Sequence, residues 1–447
     1  MSVRRIVFLF IALTITVGAT YVFATDRINL EPAVLASDSV SIELDDSGVV
    51  STTKTTDELI VFWKERFDRN PRDYISLTYL GQAYINKARE SGDATAYGRA
   101  EAVLNQALDI NPNYELTLAF LSTVLFANHD FQGALEMSSR VYDFDPNALH
   151  ALATVGDAHL ELGNYAEAET IYQTLLERNP SPPVYSRLAR LAWLQGQPEL
   201  AITLMQRAVE EVTELGLNEE RAAWYYVQLG ELYFNTGQLA QATDQYTTAL
   251  ALSDDYYLAI AALGKAHAAA GDYEQAVSRY EQVTNILPDP GFLTALGDLY
   301  TLPGRPEEAQ QQYDTVVFIA ELEALNQVIY NRQLALFYAN HDLNEASALE
   351  LALAELESRQ DIYGYDTAAW AYYKNGMPEQ AQEMMDQAMR LGTRDAHLFY
   401  HAGMIAHALG NTAEAERLLT EALTINPHFD LLQAQAAQTT LEQLQEN

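Results

Sequence analysis

Residues 264–280 read Gly264-Lys-Ala-His-Ala-Ala-Ala-Gly271-Asp272-Tyr273-Glu-Gln275-Ala276-Val-Ser-Arg-Tyr280, and their spacing decides the fold. Gly271 interrupts two helical stretches. It suits a left-handed helix C-cap because it has no Cβ to clash. Asp272 followed by Gln275 is the signature of a capping box opening the second helix. Gly264 and Ala276 are small and twelve residues apart. At those positions two antiparallel helices joined by a short turn can approach closely. Tyr280 lies one turn further on and fills the space towards the next pair.

The same grammar repeats in both directions. Gly156 precedes Ala168, Gly230 precedes Ala242, Gly297 precedes Ala309 and Gly403 precedes Ala415, each by twelve residues. The first members step by 33 or 34, as in Ser122 to Gly156 to Ala189, Gly230 to Gly264 to Gly297, and Ala369 to Gly403. A fixed period of this size marks a repeat array. Gly163-Asn164 with Glu167 and Gly410-Asn411 with Glu414 repeat the turn and the cap. Asn128-His129 and Asn340-His341 stand where the glycine is missing, and both residue types tolerate positive φ. Pro112, Pro146, Pro180, Pro288 and Pro427 stop the second helices. A third small residue, as at Ala107, Ala208, Ala249, Ala388 and Ala422, lets the next pair nest. Tyr172, Tyr246 and Tyr313 recur in the place of Tyr280.

These residues resemble the tetratricopeptide repeat. The resemblance covers Asp73 to Asp430, roughly ten units, and implies an all-α fold, a right-handed α-solenoid of helix-turn-helix repeats. It also implies a concave groove that binds protein or peptide, and no catalysis.

The organisation predicted along the chain is an N-terminal targeting segment over 1–24, an acidic tether over 25–57, a leading helix over 58–72, the array over 73–430 and a capping helix over 431–447. Arg4 and Arg5 precede the apolar run Ile6 to Phe23, about 27 Å as a helix, just short of a hydrocarbon core of roughly 30 Å. Val22-Phe23-Ala24 resembles a peptidase site. A cleaved signal peptide and an uncleaved membrane anchor both fit. Either sends the array across the cytoplasmic membrane, to a periplasmic or other extracytoplasmic place. Extra residues at Lys87 to Gly98, and steps of 41 from Ala201 to Ala242 and 37 from Ala309 to Ala346, break the period. Long second helices there suggest sub-blocks 73–219, 220–326 and 327–430. Leu431, Ala434, Ala437, Leu441 and Leu444 give the last helix one apolar face with which to cover the final repeat.

Composition narrows the function. At 447 residues the chain exceeds one ordinary core, which an array does not need. Its 26 Lys+Arg against 62 Asp+Glu give a net charge of −36, which disfavours nucleic acid and favours a basic partner. The chain has no cysteine, so disulfides, thiolate chemistry and Cys-based zinc sites are excluded. Ser51-Thr-Thr-Lys54 matches SxxK but falls in the tether, without partner motifs. His397, His401 and His407 cluster on one predicted helix, and a metal-handling or enzymatic use of them is the competing reading. The favoured reading is a cofactor-free scaffold. Its partner groove is lined by Arg190 and Trp193; Trp224, Glu231 and Phe234; Trp370 and Tyr373; Tyr400 and Met404. These residues recur three and four apart on first helices, and their rings are the type enriched at binding hot spots.

Overall fold

The computed structural model describes residues 54–446 except 92–94, 216–218, 303 and 326–330. The expected targeting segment and nearly all of the tether lie outside them. No described helix is long and apolar enough to cross a membrane. The described residues form 22 helices and no strand. By compactness the chain divides after Leu175 into two units. The first holds α1 (Thr56–Arg69), α2 (Tyr74–Ser91), α3 (Thr95–Ile110), α4 (Glu115–Ala127), α5 (Phe131–Phe144), α6 (Leu149–Glu161) and most of α7 (Tyr165–Arg178). The second opens with α8 (Pro182–Leu194), α9 (Pro198–Leu215), α10 (Glu219–Asn235), α11 (Leu239–Leu252), α12 (Tyr257–Ala269), α13 (Tyr273–Ile286), α14 (Pro290–Thr301) and α15 (Pro306–Leu325). It continues with α16 (Asn331–Asn340), α17 (Glu345–Ser358), α18 (Ile362–Lys374), α19 (Pro378–Ala388), α20 (Ala396–Ala408), α21 (Thr412–Ile425) and α22 (Gln433–Glu446). From α2 to α21 they follow as ten helix-turn-helix repeats, with α1 before them and α22 packed on α21 after them.

Local chemistry makes the turns. Gly271 has φ 79°, and Asp272 caps α13 by accepting from the backbone N–H of Gln275 at 3.3 Å. His129 replaces glycine at φ 60°, as expected. Two expectations need correction. Between α16 and α17 the positive φ falls on Asp342 (53°) and Asn344 (45°), not on Asn340 or His341. Asn411 makes no side-chain cap, and the Glu414 carboxylate pairs with Arg417 through two bonds of 2.8 and 2.6 Å rather than closing a capping box. The long second helices are present: α9 and α15 have 18 and 20 residues against 14 in α11 and α13. They lie inside the second unit and do not mark the unit boundary.

The glycines on first helices make room for rings. A Cβ at Gly230 would sit 2.4 Å from the Tyr246 ring, at Gly297 2.4 Å from Tyr313, at Gly264 2.9 Å from Tyr280 and at Gly156 2.7 Å from Tyr172. The ring then reaches past the glycine to the next residue. Tyr172 donates to Asp157 at 2.7 Å, Tyr246 to Glu231 at 2.8 Å and Tyr313 to Asp298 at 2.6 Å. Three of these four hairpins thus share a Gly–acid–Tyr unit that packs a phenol ring and satisfies its hydroxyl, while Gly264 is followed by Lys265.

The second unit closes on itself. Trp193 at the end of α8 donates through Nε1 to the Tyr363 hydroxyl on α18 at 2.9 Å, and Tyr363 donates to Asp395 at 3.0 Å. The Thr393 hydroxyl donates to the Leu194 carbonyl. In the same seam Gly196, at φ 70°, lies so close that a Cβ would be 2.2 Å from the Gly392 carbonyl oxygen. Gly196→Ala meets both a disfavoured φ and a backbone wall, so a loss of about 1–3 kcal/mol is expected. Gly271→Ala shares the φ, but its Cβ meets nothing within 4 Å. Denaturation midpoints should fall further for Gly196→Ala. Equal shifts would mean that the seam contributes nothing.

Candidate partner-binding surface

Within the second unit the first helices of the repeats are α8, α10, α12, α14, α16, α18 and α20, and the predicted groove residues lie on four of them, α8, α10, α18 and α20. Neighbouring first helices are linked through these side chains. Glu231 on α10 accepts from Tyr246 and from Lys265 on α12, and the same Lys265 ammonium lies 4.2 Å from the centre of the Phe234 ring. Asp298 on α14 accepts from Tyr313 and bonds His341 Nε2 at 2.7 Å, just beyond the end of α16. Burial disfavours the His341 imidazolium, but the bond to Asp298 outweighs it and raises the pKa. Trp370 Nε1 on α18 donates to Asn340 Oδ1 at 2.8 Å.

The aromatic stripe is not open. Trp193, Trp224, Phe234, Trp370 and Tyr400 are all buried, with Trp370 only 2% exposed. The expectation of free rings in a groove is corrected for these five. Trp224 is packed edge-on against Tyr225 at 4.8 Å. The Trp370 indole is stacked on both Tyr373 (4.8 Å, 18°) and His401 (4.1 Å, 16°). Large rings at a seam between repeats gain more by mutual packing than by facing water. Arg190, Glu231, Tyr373 and Met404 remain half-buried and keep some accessible surface.

The three histidines do not converge. His401 Nδ1 pairs with Asp366 on α18 at 2.8 Å, both groups buried. Its Nε2 has no hydrogen-bond partner among the described residues, so the dyad reaches no hydroxyl nucleophile. His397 lies 3.4 Å from Asp395, and His407 is exposed. Among the described residues no three His, Cys, Asp or Glu side chains are placed to hold a metal. Lys54 of the SxxK match lies 5.2 Å from the Phe62 ring centre, and Ser51 lies outside the described residues.

One participant escaped the sequence reading: the lead-in to α22. Phe429 is buried against His397 (5.0 Å) and Tyr400 (5.6 Å). Asn426 donates to the Phe234 carbonyl at 2.9 Å, and Gln433 donates to Asn340 at 2.8 Å. Leu431 packs on the cluster of Ile260, Tyr280, Leu296 and Tyr300. Asp430 was legible as a helix start, and it does accept from the N–H groups of Leu432 (2.8 Å) and Gln433 (2.7 Å). Its inward position was not legible. Burial, then the charges of Glu231, Asp298 and Asp430, push the Tyr280 hydroxyl well above the usual phenol range.

Models of the tetratricopeptide repeat match residues 125–191, 182–255, 259–294 and 367–428. The chain is similar to the TPR repeat-containing protein YpiA of Bacillus subtilis, 23% identical over 303 residues, covering 67% of this chain and 61% of that one. It is also similar to tetratricopeptide repeat protein 1 of Schizosaccharomyces pombe, 23% identical over 372 residues, 80% of this chain and 33% of the relative. The chain thus spans less than two thirds of either relative. Among solved structures, the APC/C hetero-tetramer Cut9-Hcn1 is matched at a TM-score of 0.32 and 13% identity, over 88% of this chain and 96% of that one.

Proposed function

We propose, since this chain belongs to the tetratricopeptide repeat proteins, that it is a non-catalytic scaffold holding a protein or peptide against the first-helix wall of its second unit, outside the cytoplasm. The observation that carries this reading is the wall itself. Charged and polar side chains on neighbouring first helices, or just past their ends, meet there in linked pairs, Glu231 with Lys265 and Asp298 with His341. A purely structural interior favours apolar packing over such a line. Beside it the half-buried Arg190, Tyr373 and Met404 offer contact surface. The net charge of −36 supports a basic partner. Arg4, Arg5 and the apolar run after them support export, with the run serving as signal or as anchor.

Two measurements test this. A reporter active only in the cytoplasm, fused after Asn447, should be silent; strong activity would end the export proposal. Met404→Ala and Glu231→Lys should each weaken capture of the native envelope partner by about 1–3 kcal/mol, the scale of a hot spot. Met404→Ala should leave helical signal and melting nearly unchanged, whereas Glu231→Lys also breaks the Tyr246 and Lys265 bonds and lowers melting, so its capture is read on the folded fraction. Unchanged capture by both variants would remove the wall as the binding surface.

A further inference from the structure

We propose that Asn426–Gln433 is a built-in occupant of the first-helix wall, and that an outside peptide reaches this wall only by displacing it. This rests on reading the wall as the partner surface. The stretch is eight residues long, yet it touches elements from repeats far apart in sequence. Asn426 bonds the backbone of α10, Leu431 packs on the cluster built from α12 to α15, Gln433 bonds the last residue of α16, and Phe429 covers two rings of α20. A short segment can meet all of these only on the side where the first helices converge. A cap needs to cover the final repeat alone, and α22 does that through its packing on α21. The inward lead-in goes beyond capping.

The occupant also shows what could replace it. Phe429 and Leu431 sit in two apolar seats, and Asp430 lies between them. Asp430 brings its carboxylate to a part of the wall that already holds one: Leu431 beside it packs on the cluster that includes Tyr313, and Tyr313 donates to Asp298. Lys265 and, when protonated, His341 and His397 offset part of this, but each already faces a carboxylate of its own, Glu231, Asp298 and Asp395. Asp430 is held there by its second task, capping α22. An incoming peptide has no such helix to cap. The wall therefore fits a peptide with an aromatic residue, a basic residue and an aliphatic residue in succession, which gains attraction where the occupant meets repulsion.

The probe is a fluorescein-labelled peptide of residues 426–437 carrying Asp430→Lys, with the natural peptide beside it. Binding to the full chain is read by anisotropy. Phe429→Ala/Leu431→Ala empties both seats and should bind the lysine peptide at least about ten-fold tighter than the unsubstituted chain, which corresponds to 1.4 kcal/mol. The chain has no cysteine, so Asn340→Cys/Gln433→Cys can be joined by a short bis-maleimide at that pair alone. The joined form should bind neither peptide, and the unjoined form should bind. If the alanine variant does not fold, this second pair decides. Equal affinity across joined and unjoined forms would overturn the gate while leaving the wall a peptide site. No binding by any form would overturn the gate and the wall reading together. A natural peptide as tight as the lysine peptide would overturn the charge preference.

Discussion

Trp370→Ala is expected to destabilise the second unit by about 3–5 kcal/mol, the range for removing a large buried ring. The indole is 2% exposed and stacked between Tyr373 and His401. Its Nε1–H is one of two donors to Asn340 Oδ1; the other is Gln433. Alanine leaves a cavity at this junction, releases the His401 ring from its stack and deprives Asn340 of a partner. The loss therefore extends from α18 to α16, α20 and the α22 lead-in. Chemical denaturation followed by helical signal would show it, and an unchanged midpoint with weaker partner capture would restore the open-groove reading of this residue.

The second large effect lies at Asp361. Its carboxylate is bidentate on Arg332 (3.2 and 2.6 Å), takes Arg359 at 3.3 Å, and caps α18 by accepting from Gly364 N–H at 2.6 Å. Glu355 lies 3.3 Å from the same Arg332. Both carboxylates are buried, at 5% and 2% side-chain exposure. Burial alone would raise the Asp361 pKa. The two guanidiniums outweigh it and hold the group at about 2, below the ordinary 3.8. A depressed acid contributes stability that is fully present above its unfolded value and fades as pH falls through the folded one. Here that window runs from the ordinary 3.8 down to about 2, and the contribution is about 2 kcal/mol. Asp361→Asn keeps the cap but takes the buried carboxylate away from the half-buried Arg332 and Arg359, at a cost of about 3–5 kcal/mol near neutral pH. The gap between the parent and Asp361→Asn should narrow as pH drops across that window. A gap that is absent at pH 7, or that does not change with acidification, would show that the network is not what holds this corner.

The repeat grammar was legible because it is local. Gly264, Gly271, Ala276 and Tyr280 act within one hairpin, and the structure keeps their roles, with Tyr280 as the neighbour that Gly264 makes room for. The tyrosine–acid bonds were half legible: both residue types recur, but the fixed pairing Tyr246–Glu231 appears only when the hairpin is folded. What was not legible depends on angles summed over many repeats. Trp193 meets Tyr363 across 170 residues, and Asn426 meets Phe234 across 192. Periodicity sorts residues by helix face but cannot say whether a face meets water or a later repeat. Trp224 and Trp370 were correctly placed on first helices, and their burial followed from packing that the spacing does not encode. His341 shows the same limit. Read as a turn residue, it instead bonds Asp298 from the neighbouring repeat, and the turn is carried by Asp342 and Asn344.

The most direct measurement is native-state hydrogen exchange on the full chain, resolved to residues 426–434. The amides of Asn426, His428, Leu432, Gln433 and Ala434 all donate hydrogen bonds, and Asn426, Phe429 and Gln433 are buried against the first-helix wall. The expected result is protection of this stretch comparable to that of α10 and α18, lost in Phe429→Ala/Leu431→Ala while those helices stay protected. Exchange at the rate of exposed chain in the unsubstituted protein would contradict a segment seated on the wall.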